Sequence, residues 1–366
     1  MTEAFPDTRL TIDLDAIVAN WRALARRAAP AACAAVVKAD AYGLGAVPVA
    51  TALAAAGCTT FFVAHVGEGV ELRAALPDTA IVVLHGLSEG AEALYRQNRL
   101  VPALGSLDQI ERWRLGGGGR AVINIDTGMN RLGLAASDIE RLHAEPARLA
   151  GIEIMLVMSH LACAEERDHP KNPAQLALFR HLRTLLPAAP ASLANSAGIY
   201  LGQDYTFDLV RPGIGLYGVD PLPDNAPHGP GGMTQVVHLK ARILQVRDVD
   251  TPMTVGYGAT HRVGGPGRIA TVPVGYADGF LRGFSSNADA WLDTYRVPLV
   301  GRVSMDLITL DVSAVPRDLA LPGAWVTVLG GAASLREAAN RAGTIEYELL
   351  TRLGRRFVRH YVGGKQ

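Results

Sequence analysis

The sequence has no excess of charge of either sign and no long hydrophobic run. Lysine plus arginine number 35 and aspartate plus glutamate number 35, so the formal net charge is zero. Without a basic field, the chain has nothing that recruits nucleic acid or an anionic membrane surface. No apolar run approaches the ~18 residues that a bilayer-spanning helix needs. The remaining composition, 49% hydrophobic and 19% charged, is the balance of a globular protein.

Cysteine is also scarce. Cys33, Cys58 and Cys163 show no paired spacing, and an odd count in a long chain argues against a disulfide framework. The N-terminal stretch MTEAFPDTRLTIDLDAI has no basic region followed by an apolar run, so we expect no signal peptide and a cytoplasmic location. The ten histidines form no HxH or HxxxH cluster with carboxylates, so we expect no metal site.

The length of 366 residues predicts two domains. The first two thirds of the chain alternate short apolar runs with helical segments, which predicts a parallel sheet covered on both faces. Eight such units over about 220 residues fit a closed (β/α)8 barrel of the TIM type. An open doubly wound sheet is the alternative. The predicted strands are 31–39, 59–65, 79–86, 100–105, 120–126, 151–160, 190–196 and 207–218.

A segment rich in proline and glycine, DPLPDNAPHGPGGM at 220–233, follows the last predicted barrel strand. Beyond it, strand-like runs dominate, and a helical pattern returns only at SLREAANRAG and YELLTRLGRRF. We therefore predict an α/β protein with a barrel domain over residues 1–230 and a mainly β domain over residues 231–366.

Polar side chains stand at the C-terminal ends of the predicted barrel strands, where barrels of this kind carry their chemistry. Each alone has an ordinary structural explanation, such as a solvated lysine, a hydrogen-bonded core histidine or a helix N-cap. Their convergence on one rim favours a functional site. In chain order they are Lys38, Arg131, His160, Asn195, Ser196 and Arg211.

This set suits an aldehyde that bears a phosphate. A lysine in a partly desolvated pocket has a lowered pKa, and its free amine can form a Schiff base. Ser196 and the N–H groups around Gly213 and Ile214 can hold a phosphate near the last strands. Tyr42, four residues after Lys38, can add a phenolic donor to the same phosphate.

Eight motifs resemble those of alanine racemases, in the order of that family. They are VVKADAYGLG, IDTGMNRLG, SHLACA, ANSAGI, DLVRPGIGLYG, VGYG, PVGYADG and GRVSMD. The first is similar to the family's pyridoxal-phosphate signature, and the matches run from roughly residue 30 to 360. The resemblance implies a (β/α)8 barrel, a mainly β second domain and a head-to-tail homodimer with shared active sites. In the family the N-terminus adds a strand to the second domain, and TRLTIDL at 8–14 is the matching stretch.

The resemblance implies two catalytic bases, because racemisation removes a proton from one face of the α-carbon and returns one to the other. Lys38 would form the Schiff base with pyridoxal 5′-phosphate and serve the D-enantiomer, and Tyr257 of the partner subunit would serve the L-enantiomer. Tyrosine has an ordinary pKa of about 10 and needs help to act as a base. His160, by its motif position, is the histidine that polarises this tyrosine in the family.

The resemblance also implies roles in binding. Arg211 matches the family's arginine at the pyridine nitrogen, where many enzymes of this class have a carboxylate. Arg131 and the backbone N–H of Met305 of the partner subunit would bind the substrate carboxylate. Tyr276 would narrow the substrate entrance. Asp306 would support Arg131 or the entrance, with a purely structural hydrogen bond as the alternative.

The chain departs from the family at three positions, Leu44, Asn124 and Ser304. Asn124 stands where many members have a carbamylated lysine that orients the substrate arginine. Either Asn124 bonds Arg131 directly or an anion fills the gap. The C-terminal tyrosine that reaches the phosphate in many relatives has two candidate positions, Tyr347 and the neighbourhood of Arg355. Asp126, although it lies in a motif, is assigned to structure.

The activity implied by the resemblance is interconversion of L-alanine and D-alanine, which would supply D-alanine for cell-wall peptidoglycan. A broad-specificity or serine-type racemase of the same fold is the nearest alternative. A non-catalytic pyridoxal-phosphate carrier is a third reading, but such proteins lack a second domain, and residues 234–366 argue against it.

Overall fold

The computed structural model describes residues 7–222 and 232–364. The chain divides into two compact units. The barrel unit comprises Ile17–Ala41 and Gly45–Met233, and the second unit comprises Met1–Ala16, Tyr42–Leu44 and Thr234–Lys365. Most of the predicted linker at 220–233, and the predicted boundary between residues 230 and 231, lie outside the described residues.

The strands and helices alternate through the barrel unit, and strands dominate the second unit. The strands are β1 (Thr8–Asp13), β2 (Ala32–Cys33), β3 (Ala35–Val36), β4 (Thr60–Val63), β5 (Ala80–Val83), β6 (Val101–Leu104), β7 (Gly119–Asn124), β8 (Ile152–Met158), β9 (Ala191–Ser192), β10 (Leu209–Val210), β11 (Val237–Arg242), β12 (Gln245–Val249), β13 (Met253–Val255), β14 (His261–Val263), β15 (Gly267–Val272), β16 (Asp289–Leu292), β17 (Tyr295–Pro298), β18 (Ile308–Asp311), β19 (Trp325–Leu329) and β20 (Arg359–Val362). The helices are α1 (Leu14–Ala28), α2 (Lys38–Gly43), α3 (Ala46–Ala55), α4 (Val66–Ala75), α5 (Glu92–Gln97), α6 (Leu107–Leu115), α7 (Ala136–Ala144), α8 (Lys171–Arg183), α9 (Gln203–Thr206), α10 (Leu335–Ala342) and α11 (Glu346–Arg352).

The strands of the barrel unit form a closed parallel ring. β3 to β9 make a seven-stranded sheet in chain order, and β10 pairs in parallel with β2, which a single residue, Ala34, separates from β3. The ring closes because the N–H of Asp208 donates to the Ala191 carbonyl at 3.0 Å and that of Val36 donates to the Pro212 carbonyl at 3.0 Å. The predicted barrel is confirmed, and the open doubly wound alternative is wrong.

The barrel strands follow from short, continuous apolar runs. β4 reads TFFV, β5 reads AIVV and β6 reads VPAL, with nearly every side chain buried. A parallel sheet covered on both faces requires apolar residues on both faces, so these runs do not alternate. The observed strands are shorter than the predicted ones. The run 207–218 retains only β10, because Pro212 has no N–H for a ladder hydrogen bond.

The second unit is mainly β, as predicted, and most of its strand pairs are antiparallel. Its largest sheet has the order β17-β16-β19-β11-β1-β20, and smaller sheets join β12, β15 and β18, and β13 and β14. The N-terminal strand β1 lies inside the large sheet, antiparallel to β11 and parallel to β20. α10 begins at an N-cap, because the hydroxyl of Ser334 accepts the N–H of Glu337 at 3.1 Å.

Candidate active site

Lys38 stands at the end of the first barrel strand and opens a left-handed turn. Ala39, Asp40, Ala41 and Tyr42 have φ angles of 53°, 54°, 52° and 57°. Non-glycine residues pay about 1–2 kcal/mol each for this conformation, so the turn is a strained segment of the kind found at functional sites. The strand predicted over residues 31–39 therefore ends earlier than expected, and this turn was not predicted from the sequence.

Lys38 is half-buried, and its charge interacts with that of a second cation, Arg131. Burial lowers the pKa of Lys38 below its ordinary value, and the guanidinium of Arg131 lowers the pKa further. The carboxylate of Glu68 acts in the opposite direction. A lysine with a lowered pKa has a larger fraction of the nucleophilic free amine near neutral pH.

The same rim carries three residues that were not predicted from the sequence, His65, Glu68 and His85. The rings of His65 and His85 meet edge to face with centroids 4.3 Å apart. The pKa of His85 is lowered by burial, then by His65 and, more weakly, by Lys38 and Arg131, while Glu68 opposes this. Both histidines lie at the ends of predicted strands, so the rule that located Lys38 applies to them as well.

Arg211 is the buried cation of the barrel. Its side chain is 5% exposed, and its guanidinium donates to the hydroxyl of Ser192 and, at 2.5 Å, to the carbonyl of Ser159. Burial lowers the pKa of Arg211 to about 10, which leaves it charged at neutral pH. Burial also lowers the pKa of His160 to about 3, with Arg211 as the next cause, so its imidazole is neutral.

Ser196 and Gly213 lie together beside the last two barrel strands. The hydroxyl oxygen of Ser196 accepts the N–H groups of Gly213 at 2.9 Å and Gly215 at 3.3 Å. Ile214 is buried and opens the short helical turn Ile214–Tyr217. Asn195 has a different task, because its side-chain oxygen accepts the N–H of Gly198 at 2.9 Å and caps the next turn.

The loop after β7 carries Arg131, which is exposed. The carboxylate of Asp126 organises this loop by accepting the N–H groups of Gly128 at 2.8 Å, Met129 at 2.9 Å and Asn130 at 3.0 Å. Asn124 is buried at the end of β7.

Tyr257, in the second unit, is 73% exposed and lies between two glycines with positive φ. Gly256 has φ 72° and Gly258 has φ 73°. A Cβ on Gly258 would stand 2.8 Å from a guanidinium nitrogen of Arg302. Glycine is therefore required at position 258 for the backbone conformation that presents this phenol.

Tyr276 and Met305 lie on two loops that are hydrogen-bonded to each other. The N–H of Tyr276 donates to the Ser304 carbonyl at 3.0 Å, and that of Ala277 donates to the Met305 carbonyl at 3.0 Å. Tyr276 is 45% exposed and Met305 is 54% exposed. The two residues are thus held as one exposed feature.

Asp306 forms an ion pair with Arg356, whose guanidinium bridges two carboxylates. It lies 2.7 Å from Asp306 and 3.0 Å from the buried Asp278. Burial raises the pKa of Asp278, against the N–H of Gly275 and the charge of Arg356. Because Gly275 precedes Tyr276, the bridge supports the loops described above, which is a structural role for Asp306.

Tyr42 is nearly buried, and its ring lies against that of Tyr347, with centroids 5.9 Å apart. Burial raises the pKa of Tyr42, and Tyr347 raises it further. The guanidinium of Arg359 donates to the Gly43 carbonyl at 2.8 Å. Of the two C-terminal candidates, Tyr347 is the one that contacts Tyr42; Arg355 is exposed.

No helix in the described part of the chain combines the length and the apolar character needed to cross a membrane.

Comparison with known proteins identifies the family. The family model "Alanine racemase, N-terminal domain" matches residues 12–221, and "Alanine racemase, C-terminal domain" matches residues 236–361. Alanine racemase of Rhodospirillum rubrum is 51% identical over 364 residues, covering 98% of this chain and 96% of that protein. Alanine racemase of Brucella ovis is 47% identical over 368 residues, covering 96% and 93%. The crystal structure of alanine racemase from Bartonella henselae with covalently bound pyridoxal phosphate is 40% identical, has a TM-score of 0.91 and covers 97% of this chain and 99% of that one. The chain therefore belongs to the alanine racemase family and is an isomerase of the racemase class.

Proposed function

We propose that the enzyme interconverts L-alanine and D-alanine with pyridoxal 5′-phosphate as its cofactor. The observation that carries the proposal is the half-buried Lys38 at the barrel rim. Burial lowers the pKa of its amine, and the charge of Arg131 lowers it further. The Bartonella henselae relative, which is described with covalently bound pyridoxal phosphate, supports the cofactor.

The donors on the rim fit this cofactor. Lys38 supplies an amine for its aldehyde. The hydroxyl of Ser196 already accepts two N–H groups and keeps its own O–H to donate to a phosphate. The N–H of Ile214, the first of the Ile214–Tyr217 turn, is a further phosphate donor, whereas the N–H of Gly215 donates to Ser196 and that of Leu216 donates to the Gly213 carbonyl. Tyr42 is the phenolic donor of the set.

Arg211 fits the ring nitrogen of the cofactor because a guanidinium can donate a hydrogen bond to an unprotonated nitrogen. A carboxylate at this position would instead keep the nitrogen protonated. The bound cofactor supplies an electron-withdrawing ring that stabilises the carbanion left when the α-proton departs. We expect Arg211→Glu to increase transamination, measured as pyridoxamine phosphate formed per racemisation event. Unchanged transamination would contradict this role, and Arg211→Lys, which keeps the charge, is the control.

The proton transfers are assigned to two bases on opposite faces of the α-carbon. Lys38 accepts the proton of D-alanine, and Tyr257 of the partner subunit accepts that of L-alanine; in each direction the other group returns a proton. His160 assists the tyrosine as a neutral imidazole, since its pKa lies far below neutral pH. Arg131 and the N–H of Met305 of the partner subunit bind the substrate carboxylate.

A homodimer with shared sites is part of the proposal. The exposure of Tyr257, Met305 and Tyr276 supports it, because large exposed side chains mark interaction surfaces. In this arrangement Tyr276 narrows the substrate entrance, and Asp306 supports the loop of Tyr276 through its ion pair with Arg356. The free cysteines support a cytoplasmic enzyme.

The test of the activity is incubation of the purified chain with pyridoxal phosphate and L-alanine in D₂O. We expect the α-proton signal to disappear as D-alanine accumulates on chiral chromatography. Absence of both with alanine, followed by turnover of serine, lysine or arginine, would identify a racemase of different specificity. Absence with all four would contradict catalysis and favour a carrier.

The product, D-alanine, suits cell-wall peptidoglycan synthesis. Expression of the chain in a bacterium that requires D-alanine should restore growth without the supplement. A Lys38→Ala variant is the matched negative control.

A further inference from the structure

Glu68 is a neighbour of the site that none of the sequence motifs includes. It lies in the first turn of α4, just after β4. One carboxylate oxygen accepts the N–H of Ala39 at 2.7 Å, and the other accepts those of Ala64 at 2.7 Å and His65 at 3.1 Å. A single carboxylate therefore joins the residue after Lys38 to the end of the neighbouring strand.

The bond to Ala39 falls where the backbone is strained. Ala39 is the first of the four consecutive left-handed residues that follow Lys38. Such conformations persist only where the surrounding structure over-determines them. Hydrogen bonds to a carboxylate are among the strong ones, so Glu68 is suited to hold the start of this turn.

Glu68 also supplies negative charge at the Lys38 amine. The titratable groups of the barrel that interact electrostatically with this amine are Glu68, His85, Arg131 and His160. Both histidines have lowered pKa values and are neutral near pH 7. Among these four groups, Glu68 is thus the one whose charge opposes the effect of Arg131 on the Lys38 amine.

We propose that Glu68 is a positioning residue for Lys38, which fastens the turn that begins at Lys38 to the end of β4 and balances the charge of Arg131 at the amine. This inference rests on the proposed role of Lys38 in capturing the cofactor.

Two substitutions separate the two effects of Glu68. Glu68→Gln keeps the side-chain length but removes the charge and replaces one accepting oxygen with an NH2 group, so the pKa of Lys38 should fall and one of the two backbone attachments is lost as well. Glu68→Asp keeps the charge but draws the carboxylate back by one methylene, so it cannot span Ala39 and the end of β4. Glu71→Gln, on an exposed position of the same helix, is the matched control.

The experiment is NMR of the full chain carrying lysine labelled with ¹³C at Cε, without cofactor. The sequence contains four lysines, Lys38, Lys171, Lys240 and Lys365, so the Lys38 signal is assigned by its loss in Lys38→Ala. In parallel, the rate at which each variant captures pyridoxal phosphate is followed by absorbance. Amide hydrogen exchange of Ala39 in the unmodified chain tests the hydrogen bond without any substitution.

We expect a lower titration midpoint for Lys38 in Glu68→Gln, with the other lysines unchanged. We expect Glu68→Asp to capture the cofactor about a hundredfold more slowly, as a misplacement of about 1 Å can cause. Slow exchange of the Ala39 amide supports the proposal. A wild-type midpoint in Glu68→Gln, a wild-type capture rate in Glu68→Asp or rapid Ala39 exchange would overturn it. None of these readouts uses racemisation, so failure of the proposed function would be seen separately.

Discussion

Removal of the Asp126 carboxylate should loosen the loop that carries Arg131. This carboxylate accepts three backbone N–H groups at 2.8–3.0 Å, and its side chain is half-buried. Hydrogen bonds to a charged group contribute about 1.5–3 kcal/mol each to stability when they are well buried. In a half-exposed loop the contribution is smaller, because water can form hydrogen bonds with the same groups in the unfolded chain and in the variant. Taking about 1 kcal/mol for each bond, we expect Asp126→Ala to lower the free energy of unfolding by about 3 kcal/mol.

The loop also determines where the guanidinium of Arg131 lies, so a functional effect should accompany the loss of stability. We expect Asp126→Ala to raise KM for alanine more than it lowers kcat, because Arg131 holds the substrate carboxylate in both the ground state and the transition state. Urea unfolding and steady-state racemisation measure the two effects.

The control is Asp138→Ala, since Asp138 accepts a single N–H, that of Ala135, at 3.1 Å on an exposed position. We expect a loss of about 1 kcal/mol there and an unchanged KM. If Asp126→Ala were no less stable than Asp138→Ala, or had a wild-type KM, the reasoning about this loop would be refuted.

Three further outcomes are expected. Mixing inactive Lys38→Ala and Tyr257→Phe chains should restore about a quarter of the wild-type activity, because half of the random dimers carry one intact shared site; no recovery after subunit exchange would contradict sharing. Gly258→Ala should reduce kcat/KM, whereas Gly264→Ala, whose Cβ meets nothing within 4 Å, should not; equal effects would contradict the conformational argument. The pKa of His160 is about 3 in the folded chain and ordinarily 6.5. As the pH decreases below 6.5, the unfolded chain therefore binds a proton at His160 before the folded chain does, and the free energy of unfolding decreases. His160→Gln should therefore lose about 2 kcal/mol less stability than wild type between pH 7 and pH 5 in urea titrations, and an identical loss would contradict the burial of a neutral imidazole.

The barrel could be predicted because its strands are encoded locally. The run at 100–105 became β6, Val101–Leu104, with all four side chains buried, since a short run that is apolar on both faces is typical of a strand in a parallel sheet covered on both sides. The rim position of Lys38 and Arg211 then followed from the direction of the strands.

The left-handed turn could not be predicted in this way. Ala39 and Tyr42 have no intrinsic preference for positive φ, and the bond that holds Ala39 comes from Glu68, 29 residues away. The ion pair of Asp306 with Arg356 likewise joins residues 50 positions apart. Such long-range contacts leave no periodic pattern in the sequence.

The position of β1 has a consequence for how the chain is made. Leu10 pairs with Leu239 on one side and with Arg359 on the other, so β1 precedes the barrel strands in the chain and both of its partners follow them. Until β11 has been synthesised, both edges of β1 are unpaired, while the intervening barrel is completed as a unit. Pairing of such distant segments is slow, because the entropy of loop closure is lost before the contacts form. β1 is therefore exposed to edge-to-edge association in the nascent chain, and the large sheet of the second unit can be completed only after β20 has been synthesised.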